Sequence, residues 1–247
     1  MSEQVALITG GASGFGRDLT ATLSARGVRV VVCDVDEDGG RAAAQVPGAL
    51  FVRCDVGDPE QNAAAVDAAV GMYGGLDMAF LNAGVVTGTG LGRDFDLTAY
   101  RRAMSVNLDG VVFGINAVLP VMQERGGGSI VCTASLAGLT AVPMDPIYSA
   151  NKHAVVGLVR SLAPALAGDG IRINAVCPGF AETAIIGPIR DVLVGQGLPI
   201  IPVEQVTETV VGLFDGDMSG ECWFVQAGRE SQPFGFRGIP GPRAEPA

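Results

Sequence analysis

The sequence predicts a single-domain α/β fold, in which a doubly wound parallel sheet of about seven strands carries helices on both faces. Short apolar runs alternate with longer stretches of helical periodicity along almost the whole chain, and this alternation is typical of βαβ units. The runs are apolar throughout, which indicates strands buried on both faces. No linker rich in Pro, Gly or Ser interrupts the middle of the 247 residues, so we expect one domain over residues 1–230.

The individual elements follow from these runs in chain order. Strands are predicted at residues 5–9, 28–33, 49–54, 76–81, 129–133, 171–176 and 222–225. Helices are predicted at residues 15–26, 59–72, 98–123, 148–167 and 203–214. In a sheet of this kind ligands bind beyond the carboxyl ends of the strands. We therefore expect functional residues directly after each strand.

Two segments have no regular period. Residues 182–202 place Gly and Pro among apolar residues, and we expect a small lid around residues 180–202. The tail at residues 231–247 is rich in Pro and Gly. Such a tail is either disordered or packed across a neighbouring subunit.

The composition excludes several classes of function. A net charge of −10 disfavours nucleic acid and anionic membrane surfaces, because both are bound by clustered Lys and Arg. No apolar run approaches the roughly 20 residues of a membrane span, and residues 1–4 lack the basic start of a signal peptide. We expect a cytoplasmic protein. A single histidine, His153, and five cysteines without CxxC spacing predict buried reduced thiols and no metal site.

A glycine cluster follows the first predicted strand. Gly10, Ser13, Gly14, Phe15 and Gly16 stand where a tight turn meets the start of a helix. Glycine lets the backbone approach a pyrophosphate closely, while the helix N-terminus supplies N–H groups and positive dipole. An ordinary strand-to-helix turn is the alternative. The position of the glycine cluster after the first strand favours nucleotide binding.

Acidic residues end the second and third predicted strands. Asp34 stands where a carboxylate can accept hydrogen bonds from a ribose diol and repel a 2′-phosphate. Arg17 is the basic residue nearest the glycine cluster, but it falls in the first turn of the helix, so we expect NAD and not NADP. A helix or turn cap is the alternative for Asp34. Asp55 and Val56 are predicted to hold the adenine, with a turn at the strand end as the alternative.

Tyr148 and Lys152 form the most specific pair in the chain. Lys152 is the only lysine, so its position suggests a site that needs an ammonium group. Residues four apart share one face of a helix, and a neighbouring positive charge favours the phenolate form of a tyrosine. A tyrosine with a lowered pKa serves as a general acid or base near neutral pH. An exposed lysine beside a buried tyrosine is the alternative.

Taken together, these motifs resemble the classical short-chain dehydrogenases/reductases, and the resemblance runs from about residue 5 to residue 228. It rests on Thr9 to Gly16 for TGxxxGxG, Asn82-Ala83-Gly84 for the NAG motif, Asn107, Ser135, Tyr148 with Lys152 for YxxxK, and Pro178-Gly179 with Thr183. The resemblance implies a Rossmann-type fold. The run from Cys177 to Ile185 looks like hydroxyprostaglandin-dehydrogenase-type members.

The family resemblance implies a role for each catalytic residue. Tyr148 would exchange a proton with the substrate oxygen while hydride moves between the nicotinamide and the same carbon. Lys152 would lower the pKa of the tyrosine and hold the nicotinamide ribose. Ser135 would orient the substrate oxygen, and Asn107 would position a water that links Lys152 to solvent. An ordinary strand-end hydroxyl is the alternative for Ser135, and a helix residue that bonds backbone is the alternative for Asn107.

The resemblance also implies further binding residues. The cofactor would be held in addition by Asn82, Ala83, Gly84, Tyr148, Lys152, Pro178, Gly179, Phe180 and Thr183. The substrate would contact Ser135, Leu136, Met144, Tyr148, Phe180, Ile185 and Ile186. This second set is largely apolar, as small-molecule pockets usually are. It predicts a hydrophobic secondary alcohol or its ketone as substrate. The family usually forms dimers or tetramers, and we expect a homo-oligomer, a tetramer first and a dimer second.

Three functions therefore compete. The first is an NAD-dependent alcohol dehydrogenase or ketone reductase. The second is a non-catalytic relative that binds NAD as a sensor or structural partner, because a fold does not by itself determine function. It would tolerate loss of Tyr148, Lys152 or Ser135, and all three are present. The third keeps the cofactor for dehydration or epimerisation, which requires additional acid and base groups near the pocket.

Overall fold

The computed structural model describes residues 4–238. Its strands are β1 (Val5–Thr9), β2 (Arg29–Asp34), β3 (Ala49–Arg53), β4 (Met78–Leu81), β5 (Gly128–Thr133), β6 (Ile171–Pro178), β7 (Cys222–Val225) and β8 (Gln232–Pro233). Its helices are α1 (Gly14–Ala25), α2 (Glu37–Ala43), α3 (Pro59–Tyr73), α4 (Leu97–Met104), α5 (Gly110–Arg125), α6 (Pro146–Leu166), α7 (Arg190–Gly195) and α8 (Val203–Asp215). A π turn at Ser105–Asp109 joins α4 to α5.

All eight strands form one sheet in the order β3-β2-β1-β4-β5-β6-β7-β8. Strands β1 to β7 are parallel, and β8 pairs antiparallel with β7. The strand order reverses between β1 and β4, where the chain crosses from one half of the sheet to the other. At such a switch point the loops beyond the strand ends diverge and leave a crevice. The Rossmann-type fold predicted from the sequence is confirmed.

Apolar side chains cover both faces of the sheet. On one face, Leu19 of α1 and Val210 of α8 pack with Phe80 of β4, and all three are essentially inaccessible to solvent. On the other face, Ile115 of α5 and Val155 of α6 pack against the sheet. Burial on both faces explains why the strands read as uninterrupted apolar runs.

The structure adds elements that the sequence pattern did not predict. Helix α2 is short, and Gly39 and Gly40 stand in its middle, which weakens the helical signal. Helix α7 lies in the segment predicted to be loop. The helix predicted at residues 98–123 is interrupted by the π turn at Ser105–Asp109. The sheet has eight strands instead of about seven. The eighth, β8, was not predicted, because only two of its residues pair with β7.

The described part of the tail folds onto its own chain. The backbone N–H of Phe234 donates to the carbonyl of Cys222, next to the pairing of β8 with β7. The guanidinium of Arg160 on α6 lies 3.7 Å from the ring centroid of Phe236. The domain therefore extends past residue 230, and residues 231–238 are not a free tail. The remainder of the predicted tail, residues 239–247, lies outside the described residues.

One helical stretch, Leu97–Arg125, is long and apolar enough to cross a membrane by length and composition alone. In this fold its α5 part packs on the sheet through Val111, Ile115, Val118 and Met122. Only 33% of its most apolar window is buried within the chain. The rest of that window stays uncovered by this chain.

Candidate active site

A cavity of about 560 Å³ opens at the carboxyl ends of the strands, over the switch point. Its described walls include Gly10, Ser13, Gly14, Phe15, Asp34, Val35, Cys54, Asp55, Val56, Asn82, Ala83, Gly84, Val85, Arg102, Ser105, Val106, Thr133, Ala134, Ser135, Tyr148, Lys152, Pro178, Gly179, Ala181, Thr183, Ala184, Ile185 and Ile186. Most residues predicted to bind the cofactor line this one cavity. The structure thus places the glycine cluster and the Tyr148–Lys152 pair in a common site.

The glycine cluster is packed too closely for side chains. Gly10 has a φ of 64°, and a Cβ there would lie 2.9 Å from the Cα of Ala83. Gly14 has a φ of 48°, and a Cβ there would lie 3.1 Å from Cγ2 of Thr183. A Cβ on Gly16 would collide with the carbonyl oxygen of Gly10. The third glycine therefore serves the packing of α1 on the loop and does not line the cavity.

The N-terminus of α1 opens into the cavity. Ser13 is its N-cap and makes no side-chain capping hydrogen bond, so the amides of the first turn keep their N–H groups available. Unsatisfied N–H groups and the helix dipole together attract an anion. The free N–H groups and the positive end of the helix fit the charge of a pyrophosphate.

Asp34 holds the glycine cluster at the end of β2. The N–H of Ala12 donates to its Oδ2 at 2.9 Å, and the N–H of Asp36 donates to its Oδ1 at 3.0 Å. Asp36 caps α2 by accepting from the N–H of Gly39. Asp34 is therefore a turn residue as well as a cavity residue. Each carboxylate oxygen keeps a further lone pair for a ligand hydroxyl.

Asn82 ties three neighbouring strands together. Its Nδ2 donates to the carbonyl of Thr9 at 3.1 Å, and its Oδ1 accepts from the hydroxyl of Thr133 at 3.0 Å. The backbone N–H groups of Asn82 and Ala83 both donate to Oγ1 of Thr9, at 2.9 and 3.1 Å. These bonds fix the ends of β1, β4 and β5 relative to one another. Asn82 and Ala83 thus shape the floor of the cavity.

Asp55 and Val56 form the wall after β3. Asp55 accepts from the N–H of Gly57 at 3.0 Å through Oδ1, which is the strand-end turn that the sequence left as an alternative. Val56 is buried. Both residues also line the cavity, so the turn and a binding surface are the same structure.

Tyr148 stands in the first turn of α6, beyond β5. Asp145 caps the helix by accepting the N–H of Tyr148 at 2.9 Å. Burial raises the pKa of Tyr148 to about 12, although a side-chain hydrogen bond with Ser135 lowers it in part. The hydroxyl is therefore a neutral proton donor at neutral pH. The expected lowering of this pKa by Lys152 is absent from this structure.

The position of Lys152 explains this difference. Its Nζ lies 5.6 Å from the ring centroid of Tyr148 and donates to the carbonyl of Thr133 at 2.8 Å. The side chain is 2% exposed, and burial lowers the pKa of Lys152 to about 8. An ammonium in this environment loses much of its charge near that pH. The alternative of an exposed lysine is thereby excluded.

Ser135 and Asn107 occupy different kinds of position. Ser135 is at the cavity wall, where its Oγ donates to the carbonyl of Pro178 at 3.3 Å and accepts from the N–H of Ala137 at 3.1 Å. Asn107 is fully buried in the π turn. Its Oδ1 accepts from the N–H of Val85 at 2.8 Å, and its Nδ2 donates to the carbonyl of the same residue at 2.9 Å. Asn107 therefore holds the loop after β4 and does not itself line the cavity.

The segment after β6 closes one side of the cavity. Ile185 and Ile186 line it, as predicted, within a 3-10 turn at Ala184–Ile189. The predicted substrate residues Leu136, Met144 and Phe180 do not belong to its described walls. Met144 is 89% exposed and Phe180 is 42% exposed. The sequence places such loop residues near the site, but only the fold determines where their side chains point.

Several wall residues were not predicted. They are Val35, Cys54, Arg102, Ser105, Val106, Thr133, Ala134, Ala181 and Ala184. Val35 directly follows Asp34, so its place at a strand end was a usable signal. Arg102, Ser105 and Val106 come from the long helix, whose contact with the cavity depends on tertiary packing.

The site has the properties of a dinucleotide-dependent oxidoreductase. One cavity joins a glycine-lined anion cradle, a carboxylate at the end of β2, and a tyrosine, serine and lysine that are able to move and hold protons. The family model described as short chain dehydrogenase matches residues 4–192. The chain belongs to the short-chain dehydrogenase family.

Two curated relatives illustrate the family. Cyclohexanol dehydrogenase of Acinetobacter sp. (strain SE19) is 34% identical over 233 residues, which cover 88% of this chain and 90% of the relative. The 3-alpha-(or 20-beta)-hydroxysteroid dehydrogenase of Mycobacterium tuberculosis (strain ATCC 25618 / H37Rv) is 42% identical over 182 residues, covering 73% of this chain and 70% of the relative. Both names describe enzymes that interconvert alcohols and ketones.

Solved structures agree with this assignment. A variant of actinorhodin polyketide ketoreductase with NADPH is 32% identical, superposes with a TM-score of 0.85, and covers 92% of this chain and 97% of its own. A 3-ketoacyl-(acyl-carrier-protein) reductase from Brucella melitensis complexed with NADH is 27% identical with a TM-score of 0.84, covering 93% and 99%. Nicotinamide dinucleotides of both kinds therefore occur among the structural neighbours.

Proposed function

We propose that the protein is an NAD-dependent oxidoreductase that interconverts a hydrophobic secondary alcohol and its ketone, with Tyr148 as the general acid and base. The observation that carries the proposal is that the hydroxyl-bearing residues Tyr148 and Ser135 and the buried Lys152 line the same cavity as the glycine cradle. A sensor needs the cradle but has no use for a tyrosine and a serine paired beside it. The bound nicotinamide would supply or accept hydride at the substrate carbon.

The chain's own residues then divide the proton chemistry. In the direction of reduction, the protonated Tyr148 hydroxyl donates its proton to the substrate oxygen, while the Ser135 hydroxyl donates a hydrogen bond that orients the same oxygen. The high pKa of Tyr148 keeps its hydroxyl protonated at neutral pH. In the direction of oxidation, the proton returns to the tyrosine oxygen.

Lys152 and Asn107 support that transfer in our proposal. Gly84 lies between them, since a Cβ there would be 3.5 Å from Oδ1 of Asn107 and 3.9 Å from Nζ of Lys152. With a pKa of about 8, the ammonium is able to release a proton and recover it near neutral pH. We propose that the ammonium also binds the nicotinamide ribose. We propose that a water held near Asn107 connects it to solvent.

The preference for NAD rests on Asp34. Its carboxylate stands at the end of β2, the place of the adenosine ribose in this fold, where it accepts from a diol and repels a phosphate. Arg17 is exposed in the first turn of α1 and does not line the cavity. The two structural neighbours that contain NADPH and NADH leave the choice open, so this preference is derived from the charge at residue 34.

The preference for an apolar substrate rests on the loops at the carboxyl edge of the sheet. Large apolar side chains remain exposed after β4, β5 and β6, namely Val86, Leu91, Phe95, Leu97, Met144, Phe180, Ile185, Ile189, Val192, Val194 and Leu198. An apolar ligand or partner would cover such exposed apolar side chains. Arg190 of the lid is paired with Glu182 through two hydrogen bonds of 2.7 and 3.1 Å, so it is not a free cation for an anionic substrate.

Association and location complete the proposal. Helix α5 has an uncovered apolar side, on which Val112 is 40% exposed. We propose that a second copy covers this side and that the protein works in the cytoplasm as a tetramer or a dimer. Light scattering of the purified protein tests this association. A monomer at micromolar concentration would contradict it.

The function is tested by following absorbance of the reduced nicotinamide with a panel of aliphatic, aromatic and steroid-like secondary alcohols. We expect turnover with NAD, and a loss of about a hundredfold or more in Tyr148→Phe, as for a general acid or base. Tyr100→Phe is the matched control, because Tyr100 on α4 does not line the cavity. If NADH binds but no alcohol or ketone reacts, the proposed enzyme gives way to the sensor.

A further inference from the structure

Arg102 lies on the face of α4 that meets the cavity. Arg102, Ser105 and Val106 all line the cavity, and residues three and four apart share one face of a helix. The neighbouring Arg101 has the same charge but does not line it. Two adjacent arginines therefore differ in what they face, and only one of them faces the site.

Arg102 belongs to the end of the cavity formed by the β3 loop. A side chain on Gly57 would collide with Oγ of Ser105, so the turn after Asp55 lies directly against the start of the π turn. A Cβ on Gly110 would likewise lie 2.6 Å from Cγ2 of Val56. The face that carries Arg102 thus adjoins Asp55 and Val56.

The proposed function orders the cavity from one end to the other, and the present inference rests on that order. The glycine cradle and the N-terminus of α1 take the pyrophosphate, and Asp34 takes the adenosine ribose. The space beyond Asp34, between Val35 and the pair Asp55 and Val56, is then left for the base. In that order Arg102, whose helix face adjoins Asp55 and Val56, is nearest to the base.

The guanidinium of Arg102 is unpaired in the part of the chain that the structure describes. Among residues 4–238 its side chain makes no hydrogen bond, ion pair or ring contact. The nearby carboxylate of Asp55 already accepts from the N–H of Gly57. A planar guanidinium free of other bonds is suited to stack on an aromatic ring.

We propose that Arg102 is a cofactor-binding residue whose guanidinium packs on the adenine ring of the bound dinucleotide. The contact closes the outer side of the base site, opposite the wall formed after β2. It adds affinity for the adenine half of the cofactor and makes no contact with the reacting carbon. Arg102 is therefore a binding residue and not a catalytic one.

The test measures dissociation constants of NADH and ADP-ribose for the wild type, Arg102→Gln, Arg102→Lys and the control Arg101→Gln. ADP-ribose carries the adenine without the nicotinamide. We expect Arg102→Gln to weaken both ligands by the same factor, about three- to tenfold, which is the range of a cation–π contact. Arg102→Lys should lose most of that factor, because a point charge does not reproduce planar stacking. Arg101→Gln should bind as the wild type does.

Each other result overturns the inference. If Arg102→Gln binds NADH and ADP-ribose as tightly as Arg101→Gln does, Arg102 does not contact the cofactor. If Arg102→Lys keeps full affinity, the contact is not planar stacking. NADPH titrations identify the remaining competitor, since a selective loss of NADPH affinity in Arg102→Gln would assign the guanidinium to a 2′-phosphate. A wild type that binds neither NADH nor ADP-ribose contradicts the proposed function together with this inference. Unchanged circular dichroism in all variants verifies that the fold is intact.

Discussion

The ammonium of Lys152 donates a hydrogen bond of 2.8 Å to the backbone carbonyl of Thr133. This bond joins α6 to the carboxyl end of β5, and the side chain of Lys152 is buried. The hydroxyl of Thr133 in turn donates to Oδ1 of Asn82. The lysine is thus positioned by the sheet itself, and its charge stands in a place where burial opposes it.

We predict that Lys152 makes stability depend on pH. Its pKa is lowered from 10.5 to about 8 by burial, so between these values the unfolded chain binds more protons than the folded one. Stability from this group then rises with pH, by up to about 1.4 kcal/mol per pH unit. Below the pKa of about 8 in the folded state, the full cost of burying the charged ammonium is present. Above the pKa of 10.5 in the unfolded state, that cost is gone.

Lys152→Met isolates this effect, because methionine is apolar and unbranched. Chemical denaturation at pH 7 and pH 10 should show the variant more stable at pH 7 and the difference shrinking by about 2 kcal/mol or more at pH 10. Comparing the two proteins cancels the opposite trend of buried thiols such as Cys132, whose pKa is raised to about 12 by burial. A difference that stays constant with pH would mean that the pKa of Lys152 is not lowered.

We predict that Asp34→Asn changes the choice of cofactor. The amide oxygen keeps an acceptor for the N–H of Ala12, whereas the amide nitrogen no longer accepts from the N–H of Asp36. The substitution also removes the negative charge that repels a 2′-phosphate and strengthens bonds to a diol. NADH affinity should fall by about tenfold and NADPH affinity should rise, as measured by fluorescence titration. Asp38→Asn on α2, which does not line the cavity, serves as control. An unchanged ratio of the two affinities argues against Asp34 as the selector.

We predict opposite effects of adding a methyl group at two helical glycines. Gly16→Ala places a Cβ against the carbonyl of Gly10 and within 2.9 Å of the Cα of Gly11, so the loop has to move. Stability should fall by about 2 kcal/mol or more, as in overpacked cores, and NADH binding should weaken. Gly71→Ala meets no atom within 4 Å and should add up to about 1 kcal/mol. Thermal unfolding of both variants decides the matter, and equal shifts would contradict the close packing of α1 on its loop.

We predict that Asn107→Asp destabilises the fold. The new oxygen would replace Nδ2, which donates to the carbonyl of Val85 at 2.9 Å and to Oδ1 of Asn151 at 3.3 Å. The new carboxylate oxygen would then face two other acceptors, the carbonyl of Val85 and Oδ1 of Asn151, in a buried site. We expect this to cost about 2–4 kcal/mol of stability. Gln45→Glu, exposed in the turn after α2, should stay within about 0.5 kcal/mol of the wild type. Denaturant unfolding that shows similar effects at both positions would refute the clamping role of Asn107.

The sequence predicted an element correctly where residues close together in the chain carry its pattern. Strands β1 and β7 begin and end where the apolar runs predicted, because burial on both faces demands apolar residues at every position. Strand β8 escaped prediction, since its Gln232 and Pro233 carry no strand pattern and pair only through the edge of β7. The glycine cluster was identified because a positive φ and a close approach both require glycine.

The side chains of loops were harder to place. Leu136, Met144 and Phe180 come from the loops expected to form the substrate pocket, yet they are not part of the described walls. Arg102 joins the cavity although it lies 46 residues upstream of Tyr148 in the chain. A loop imposes no periodicity on its side chains. The periodicity of a helix shows which residues share a face, but not which other element that face packs against.

The sequence by itself determined the parallel α/β sheet, the glycine cradle, the acidic residue after β2 and the Tyr148–Lys152 pair. Each of these depends on residues close together in the chain, whose spacing and chemistry carry the physical requirement locally. Tertiary structure alone decided that Lys152 bonds to Thr133, that Asn107 clamps Val85, and that the pKa of Tyr148 rises. Those properties depend on burial and on contacts between distant segments, because the energy of a charge or a hydrogen bond depends on what surrounds it in space.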